Sequence, residues 1–216
     1  MTDFVTARAR MVDNQLRSSN VTDHRILAAM GDVAREAFVP HGRSALAYAD
    51  VAHALGGGRY LAAPAPFAKL LQLAEIEHTD SILDVGAGTG YGAAVLARLG
   101  ADVTALESEA ELAGKARTHL AAAGVANATV VEGALDGAGL EREFDVIIVE
   151  GAVHSEPSEL FPLLAEGGRL VALIGTGGAA VASIFVRSGD DVAGRSEFNA
   201  SLPPLVSAAP VETFEF

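Results

Sequence analysis

The sequence contains no cysteine and no tryptophan, and only 6% of its residues are aromatic. Without cysteine the chain can form no disulfide, has no thiolate nucleophile and cannot build a cysteine-ligated zinc site. The six histidines show no metal-ligand spacing, so the sequence predicts no metal site. The lack of cysteine is compatible with a reducing compartment, and we expect a cytoplasmic protein.

Basic residues are also scarce. The chain has 15 Lys and Arg against 28 Asp and Glu, which gives a formal net charge of −13 and a pI near 4.8. Proteins that bind nucleic acid normally present a basic face to the phosphates, so this balance argues against a DNA or RNA partner. An anionic substrate would have to overcome a modest repulsive field.

Long apolar runs are missing, although half of the residues are hydrophobic. The longest uncharged stretch, 170–186, is interrupted by Gly175, Gly177 and Gly178, and it is marginally short for a membrane span. Two strands over 169–174 and 181–187, joined by a glycine-rich turn, explain it better. We therefore predict no transmembrane helix and no membrane partner.

The most informative positive feature is a glycine-rich turn between an apolar strand and a helix. The strand covers 81–85, the turn Gly86-Ala87-Gly88-Thr89-Gly90 follows, and 91–99 continues as an apolar-rich helix. A second strand over 103–106 then ends in Glu107. This order is typical of half of a nucleotide-binding α/β unit.

The turn's composition indicates what it could hold. Glycines let a ligand approach the main chain closely, and Glu107 could accept two hydrogen bonds from a ribose diol. The G-x-G-x-G spacing and the carboxylate of Asp84 favour the cationic amino-acid end of S-adenosylmethionine over the pyrophosphate of NAD. Three alternatives stay open: Asp84 caps the next helix, Glu107 faces solvent, or the turn binds no ligand.

The rest of the chain continues the alternation of helix and strand, which predicts a parallel sheet with its ligand across the carboxyl ends of the strands. We expect Thr22 or Asp23 to cap a helix in the first part, and a helix to resume at 68–73. Later elements are predicted as a helix at 109–123, strands at 128–131 and 144–149, and a helix at 158–164. We predict one domain, 1–216, with a helical N-terminal extension over 1–50, a substrate-side loop over 51–66, a cofactor-binding core over 78–187 and a C-terminal strand region over 188–216.

Several segments together carry a family resemblance. They are Met11-Val12-Asp13-Asn14-Gln15-Leu16, Ala29-Met30, Arg35-Glu36-Ala37-Phe38-Val39-Pro40, Ala47-Tyr48, the turn from Asp84 to Tyr91, the strand 144–149 and the segment 164–171. They resemble the protein-L-isoaspartate O-methyltransferase family over most of the chain. The N-terminal block is the specific part, because generic methyltransferases do not share it.

The resemblance implies an α/β, Rossmann-like, S-adenosylmethionine-dependent methyltransferase fold. It would have a mostly parallel seven-stranded sheet, an antiparallel edge hairpin and the N-terminal helical extension. The implied reaction methylates a carboxylate of isoaspartyl-containing protein or peptide, with S-adenosylmethionine as donor and S-adenosylhomocysteine as product. The cofactor-binding positions that it implies are Asp84, Gly86, Ala87, Gly88, Glu107, Ala134 and Leu135.

Two departures from the family pattern affect the expected site. The family's Gly-x-Thr-Ile-Ser-x-Pro segment carries a serine for the substrate carboxylate, and Ala62 stands at that position here, with Tyr60 in place of the threonine. The family's Gly-Asp-Gly motif supplies an aspartate to adenine, and Ala134 stands at that position here. The carboxylate is therefore missing, unless that of Asp136 takes its place. We therefore assign no catalytic residue, and a different acceptor or a non-catalytic cofactor-binding protein stay open.

Other candidate side chains have two interpretations each. Glu150 and His154 follow the central strand at the mouth of the cleft, where a solvated loop position is favoured over a catalytic role. The histidines His24, His53 and His119 are expected at the surface or at helix ends. Tyr60 either fills the volume left at the acceptor position or packs on its own loop.

Overall fold

The computed structural model describes residues 3–175 and 180–206, and the chain begins with two short helices, α1 (Phe4–Met11) and α2 (His24–Asp32). The side chain of Asp3 accepts a hydrogen bond from Thr6 N at 3.1 Å, and that of Asp23 accepts one from Arg25 N at 2.8 Å. Both aspartates satisfy amide groups that the first helical turn leaves free. The sequence left Thr22 and Asp23 as alternative caps, and the structure selects Asp23.

Single turns of other helix types complete this N-terminal extension. A π-helical turn covers Val12–Leu16 and 3₁₀ turns cover Arg17–Ser19, Arg35–Ala37 and Ser44–Leu46. The segment 1–50 is therefore largely helical, as predicted, but only about a third of it is regular α-helix.

The predicted extended loop over 51–66 is wrong. Strands β1 (His53–Gly56) and β2 (Arg59–Leu61) form an antiparallel hairpin, in which His53 pairs with Leu61. Positive φ angles at Gly56, Gly57 and Gly58 allow the tight turn, and a side chain would be strained there. Helix α3 (Pro64–Leu73) then begins ahead of the predicted 68, because the fixed φ of proline suits a first helical position.

Strands and helices alternate from residue 81 to residue 132, as predicted, and four further strands follow. They are β3 (Ser81–Val85), α4 (Tyr91–Leu96), β4 (Asp102–Glu107), α5 (Ala110–Ala122), β5 (Ala128–Glu132), β6 (Phe144–Val153), β7 (Leu164–Ile174), β8 (Val181–Ser188) and β9 (Asp191–Asn199). The predicted helix over 158–164 is a 3₁₀ helix, Ser158–Leu163. Pro162 lies inside it and cannot donate an α-helical hydrogen bond.

The seven long strands form one sheet in the order β5-β4-β3-β6-β7-β8-β9. The first five run parallel, β8 is antiparallel to β7, and β9 is antiparallel to β8. The predicted strand pair over 169–174 and 181–187 is confirmed, but β9 and not β8 forms the outer edge. Most of the glycine-rich turn predicted between these strands lies outside the described residues.

The sheet separates two apolar clusters. Successive side chains of a strand point to opposite faces, so Val146 and Ile148 of β6 join the cluster under the N-terminal helices, whereas Ile147 and Val149 join the cluster on the other side. β6 is thus apolar on both faces, as the sequence predicted. None of the helices in the described ranges is both long and apolar enough to cross a membrane.

Candidate functional site

The glycine turn lies at the carboxyl end of β3, in the middle of the parallel part of the sheet. Gly86, Gly88 and Gly90 have φ angles of 87°, 55° and 90°, which L side chains rarely adopt. The amides of Gly86 and Ala87 donate to the carbonyl of Leu106 at 2.8 and 3.1 Å, so the turn is fixed to the neighbouring strand β4. The glycines are therefore required by the backbone path itself.

Glu107, the last residue of β4, is fully buried beside this turn. Its Oε2 accepts from Gly88 N at 2.7 Å and its Oε1 accepts from Glu109 N at 3.0 Å. The alternative of a strand-end charge facing solvent is wrong. The carboxylate is held rigidly against the glycine turn by main-chain donors.

Arg59 is the residue of this site that the sequence analysis did not single out. It comes from β2, is only 5% exposed, and its Nη2 lies 3.2 Å from Oε2 of Glu107. Its Nη1 donates to the carbonyl of Leu205. A Cβ on Gly86 would overlap both the guanidinium and the Leu205 side chain, so these two groups lie directly on the turn. The available signal was a lone arginine in the segment expected to face the cleft.

Two further segments cover the cleft. The hairpin places Leu55 close enough to the turn that a Cβ on Gly88 would collide with it. From the other side the C-terminal segment attaches to β6, since Leu205 N donates to Ala152 O at 2.8 Å and Ala152 N donates to Pro203 O at 2.9 Å. The hairpin and the C-terminal segment, which are far apart in sequence, therefore both cover the cleft.

Asp84 and Glu150 form a buried carboxyl pair on the inner side of the turn. Both oxygens of Asp84 and Oε1 of Glu150 have no hydrogen-bond partner in the described part of the chain. Burial, helped by the charge of Glu107, raises the pKa of Asp84 to about 7. Burial likewise raises the pKa of Glu150 well above its ordinary value, with the charge of Asp84 as the second cause.

This arrangement decides two open interpretations. Asp84 is not a helix cap, because the N-terminus of α4 at Gly90 receives no side-chain hydrogen bond. Glu150 is not a solvated loop residue, since it is only 7% exposed and packs so closely on Gly92 that a Cβ there would overlap its Oε1. The predicted strand ended at 149, whereas β6 continues to Val153 and draws Glu150 into the sheet.

Ala62, at the position of the family's serine, lies beside the hairpin and is 3% exposed. Its carbonyl accepts from Nη2 of the fully buried Arg35 at 2.6 Å, and Nε of Arg35 donates to Ala47 O at 2.7 Å. The backbone at this position is therefore fixed. Tyr60 is 37% exposed, which favours packing on its own hairpin over filling the buried space next to Ala62.

The surface or helix-end prediction for His53 is wrong. Its side chain is fully buried within the hairpin, and its two ring nitrogens have no partner among the residues that the structure describes. Desolvation lowers its pKa, and the charges of Arg35 and Arg43 lower it further. His24 is exposed as predicted, and Nδ1 of the half-buried His119 lies 3.1 Å from Thr89 O.

A cavity of about 290 Å³ opens between the ends of β5 and β6, next to the covered turn. Leu135 and Asp136 line it together with the exposed His154, whereas the exposed Ala134 does not. Oδ1 of Asp136 accepts from Ala138 N at 2.9 Å, so this carboxylate is part of the cavity wall. Its volume is at the lower end of the range for ligand pockets, roughly 300–1,000 Å³.

The site residues thus form two groups. The turn residues Asp84, Gly86, Ala87 and Gly88 meet Glu107 at the carboxyl ends of β3 and β4, while Leu135 lies at the adjoining cavity. The site combines positive-φ glycines, a buried glutamate that could bind a ribose, carboxyl oxygens without partners and a cavity of mixed polar and apolar lining. These features fit a cationic nucleoside ligand. Among the described residues no group of three or more His, Asp and Glu side chains could hold a metal ion. A seven-stranded sheet with this turn and acid defines a Rossmann-like methyltransferase.

Comparison with known proteins gives the family. The family described as Protein-L-isoaspartate(D-aspartate) O-methyltransferase matches residues 6–208. A protein-L-isoaspartate O-methyltransferase from Koribacter versatilis is 42% identical over 177 residues, which cover 82% of this chain and 80% of the relative. One from Methylorubrum populi is 41% identical over 191 residues, covering 88% and 89%. The chain belongs to the protein-L-isoaspartate O-methyltransferase family.

Solved structures agree on the fold. One named protein-L-isoaspartate O-methyltransferase superposes with a TM-score of 0.78 at 23% identity, over 91% of this chain and 65% of that chain. A Plasmodium falciparum structure named for the same activity, in complex with S-adenosyl-L-homocysteine, also gives a TM-score of 0.78, at 19% identity, over 95% and 99%. The fold class and the family predicted from the sequence are confirmed.

Proposed function

We propose that this protein transfers the methyl group of S-adenosylmethionine to the carboxylate of isoaspartyl residues in damaged proteins or peptides. The observation that carries the proposal is the glycine turn held against the buried Glu107, with Leu55 and Arg59 of the hairpin packed directly on it. Family membership supports the same reaction class. The cytoplasmic location and the absence of nucleic-acid and membrane partners stay predictions from composition.

The donor would lie along the carboxyl ends of β3 to β6. We propose that the donor packs closely against the main chain of Gly86, Ala87 and Gly88, and that Glu107 binds its ribose. Asp84 would face the cationic methionine end, and the cavity at Leu135 would take the adenine ring. When bound, the donor supplies an electrophilic methyl group on a sulfonium. The adenine aspartate of the family is absent at Ala134, but Asp136 lies in the cavity wall and is our candidate replacement.

Catalysis in this site would come from positioning. The carboxylate of the acceptor is ionised at neutral pH, so it needs no general base to become a nucleophile. What the protein contributes is an in-line approach of that oxygen to the methyl group and the exclusion of water. Arg35 contributes by holding the carbonyl of Ala62, and thereby the acceptor side of the cleft, in place.

The proposal is tested by calorimetric titration with S-adenosylmethionine and S-adenosylhomocysteine, followed by methyl transfer to an isoaspartyl peptide and to its aspartyl isomer. We expect binding of both nucleosides and transfer only to the isoaspartyl peptide. Tight donor binding without transfer to either peptide would contradict the repair activity. A lack of binding would contradict every enzymatic interpretation.

A matched pair of glycine substitutions makes the titration specific. Gly86→Ala places a Cβ at a φ of 87° against Arg59 and Leu205, and strain of about 1–3 kcal/mol should weaken donor binding roughly tenfold to a hundredfold. Gly114→Ala in α5 meets nothing within 4 Å and should leave the affinity unchanged. Equal affinities in the two variants would contradict the assignment of the turn.

A methyltransferase with a different acceptor is the second candidate. Ala62 provides no hydroxyl for a substrate carboxylate, and Tyr60 presents an exposed aromatic ring on the outer face of the same hairpin. A donor that binds tightly, together with transfer to other small carboxylates but not to isoaspartyl peptide, would favour this candidate. Binding with no transfer to any acceptor would instead favour a non-catalytic relative.

A further inference from the structure

We propose that Glu150 recognises the positive charge of the donor. In the free protein Glu150 and Asp84 share one proton, and this proton is released when the cationic donor binds. Glu150 is then a specificity-determining residue that distinguishes the sulfonium donor from its uncharged thioether product. The inference rests on the proposed function, because it takes S-adenosylmethionine as the ligand of this cleft.

The geometry places the two carboxyl groups together. Asp84 lies on β3 and Glu150 on the neighbouring parallel strand β6, in which Val149, the residue before Glu150, pairs with Val85. Asp84 is fully buried and Glu150 is 7% exposed. The two carboxyl groups are close enough that each influences the pKa of the other. No other partner in the described residues satisfies Oε1 of Glu150 or either oxygen of Asp84.

No arginine in the described part of the chain forms an ion pair with Asp84 or Glu150. From β2, Arg59 approaches both groups, but its guanidinium is already paired with Glu107 of β4 and bonded to the Leu205 carbonyl. Arg35 also acts on Glu150, but it donates to two backbone carbonyls and lies over the Tyr91 ring, 4.7 Å from its centroid.

Two buried carboxylates in contact cannot both be charged without a cation, so one of them keeps its proton. Burial raises the pKa of both groups, that of Asp84 to about 7 and that of Glu150 well above its ordinary value, so the free pair holds a proton at neutral pH. The remaining neighbours add no positive charge: the Tyr91 phenol on α4 is neutral, since burial raises its pKa.

The donor supplies the missing charge. Its ammonium and sulfonium outweigh its single carboxylate, so its arrival favours the doubly ionised pair. The O–H bond of the shared carboxyl group then breaks, and the proton passes to solvent. After methyl transfer the product carries no sulfonium, and the pair regains a proton, which weakens product binding. The acid pair would thereby favour donor over product.

The test is the number of protons released on binding, measured by titrating S-adenosylmethionine into the whole protein at one pH in two buffers of different ionisation enthalpy. For the wild type we expect net proton release near neutral pH and a Kd that rises about tenfold per unit of pH lowered below 7. In Glu150→Gln, where an amide can still bond to Asp84, both effects should be clearly smaller, and what remains comes from the burial of Asp84. The preference for donor over product should also fall roughly tenfold.

Controls separate the possible outcomes. Glu111→Gln changes an exposed glutamate on α5 and should behave as the wild type. The donor's own amine titrates identically against all variants, so it cancels in the comparison. Donor binding with the same proton release in Glu150→Gln as in the wild type would overturn this proposal while leaving the proposed function intact.

A readout on the free protein covers the remaining cases. A protonated carboxyl band in the infrared spectrum at neutral pH is expected for the wild type and should be weaker in Glu150→Gln and in Asp84→Asn. If the donor does not bind, the proposed function fails, and with it the charge-reading role. If the band is absent from the wild type, the shared proton is disproved even though the donor binds. Circular dichroism verifies that each variant is folded.

Discussion

At the residue scale, the most consequential contact is between Arg59 and Glu107. Both side chains are almost completely buried, and the arginine also bonds to the Leu205 carbonyl on the other side of the cleft. A ribose bound at Glu107 would share the Oε2 atom that Arg59 now faces. The Arg59–Glu107 pair therefore affects both the stability of the folded protein and the binding of a ligand in the cleft.

We predict that Arg59→Met lowers the free energy of unfolding by about 3 kcal/mol, because it leaves a buried carboxylate without its cation. The matched control is Arg142→Met, which breaks an ion pair with Asp102. In that pair the side chain of Arg142 is 47% exposed and that of Asp102 is 44% exposed. That loss should be below about 1 kcal/mol. Urea denaturation measures both, and equal losses would show that the buried pair contributes no more than a surface pair.

The second residue-scale prediction concerns the position of the missing serine. Ala62→Ser adds a hydroxyl at a backbone fixed by Arg35, and a hydrogen bond to a charged group is worth about 1.5–3 kcal/mol. We expect methyl transfer to isoaspartyl peptide to rise roughly tenfold to a hundredfold. Ala63→Ser makes the same chemical change one residue along and should have no such effect. Unchanged transfer in Ala62→Ser, with donor binding intact, would favour a different acceptor.

At the scale of elements, the start of α3 shows how the hairpin and the helix are joined. The N-cap is Ala63, which has no side-chain acceptor, and Pro64 and Pro66 have no amide proton. The one amide left in this turn, that of Ala65, donates to Oδ1 of Asp50 at 3.0 Å. An aspartate outside the helix thus acts as its cap.

Asp50→Ala should therefore lower stability by about 1 kcal/mol, as the loss of a helix cap does. Asp13→Ala, which removes a side chain that is 67% exposed and in a surface ion pair, should cost less than about 0.5 kcal/mol. Thermal unfolding followed by circular dichroism distinguishes the two. A loss at Asp50 no larger than that at Asp13 would show that solvent replaces the cap.

The elements also show which local patterns were informative. β3, β4 and β6 are short apolar runs bounded by turn residues, and they form where the sequence predicts them. The hairpin was missed because β2 has three residues, too few for an alternating pattern, and because its turn consists of glycines that also suit a loop. The end of β6 was misplaced because Glu150 resembles a loop residue when its buried partner is unknown.

At the scale of the whole molecule, the buried acid pair makes stability depend on pH. The pKa of Asp84 is raised in the folded protein to about 7, from 3.8. A carboxyl group whose pKa is raised on folding contributes stability that is fully present below its unfolded pKa and is lost as pH rises through the folded value. The relevant window therefore runs from about pH 4 to pH 7, and the folded state is destabilised at its upper end.

We predict that the wild type loses roughly 2–4 kcal/mol of stability through this group between pH 5 and pH 8. Asp84→Asn should reduce that loss, so that the variant gains stability relative to the wild type as pH rises. Asp191→Asn, at an exposed aspartate in the β8–β9 turn, is the control and should follow the wild type. Denaturant titrations at several pH values measure the slopes, and parallel slopes for all three proteins would contradict the prediction.

The sequence by itself determined the order of strands and helices from β3 onward, the glycine turn, Glu107 and the family, because these are local patterns of period, turn chemistry and spacing. Tertiary structure alone decided the surroundings of the site. Arg59 contacts Glu107, which is 48 residues away in sequence, and Leu205, which is 146 residues away. Asp84 lies beside Glu150 only because β3 and β6 are neighbours in the sheet. Such contacts depend on strand order and burial, which set the charges and the pKa values that no local pattern contains.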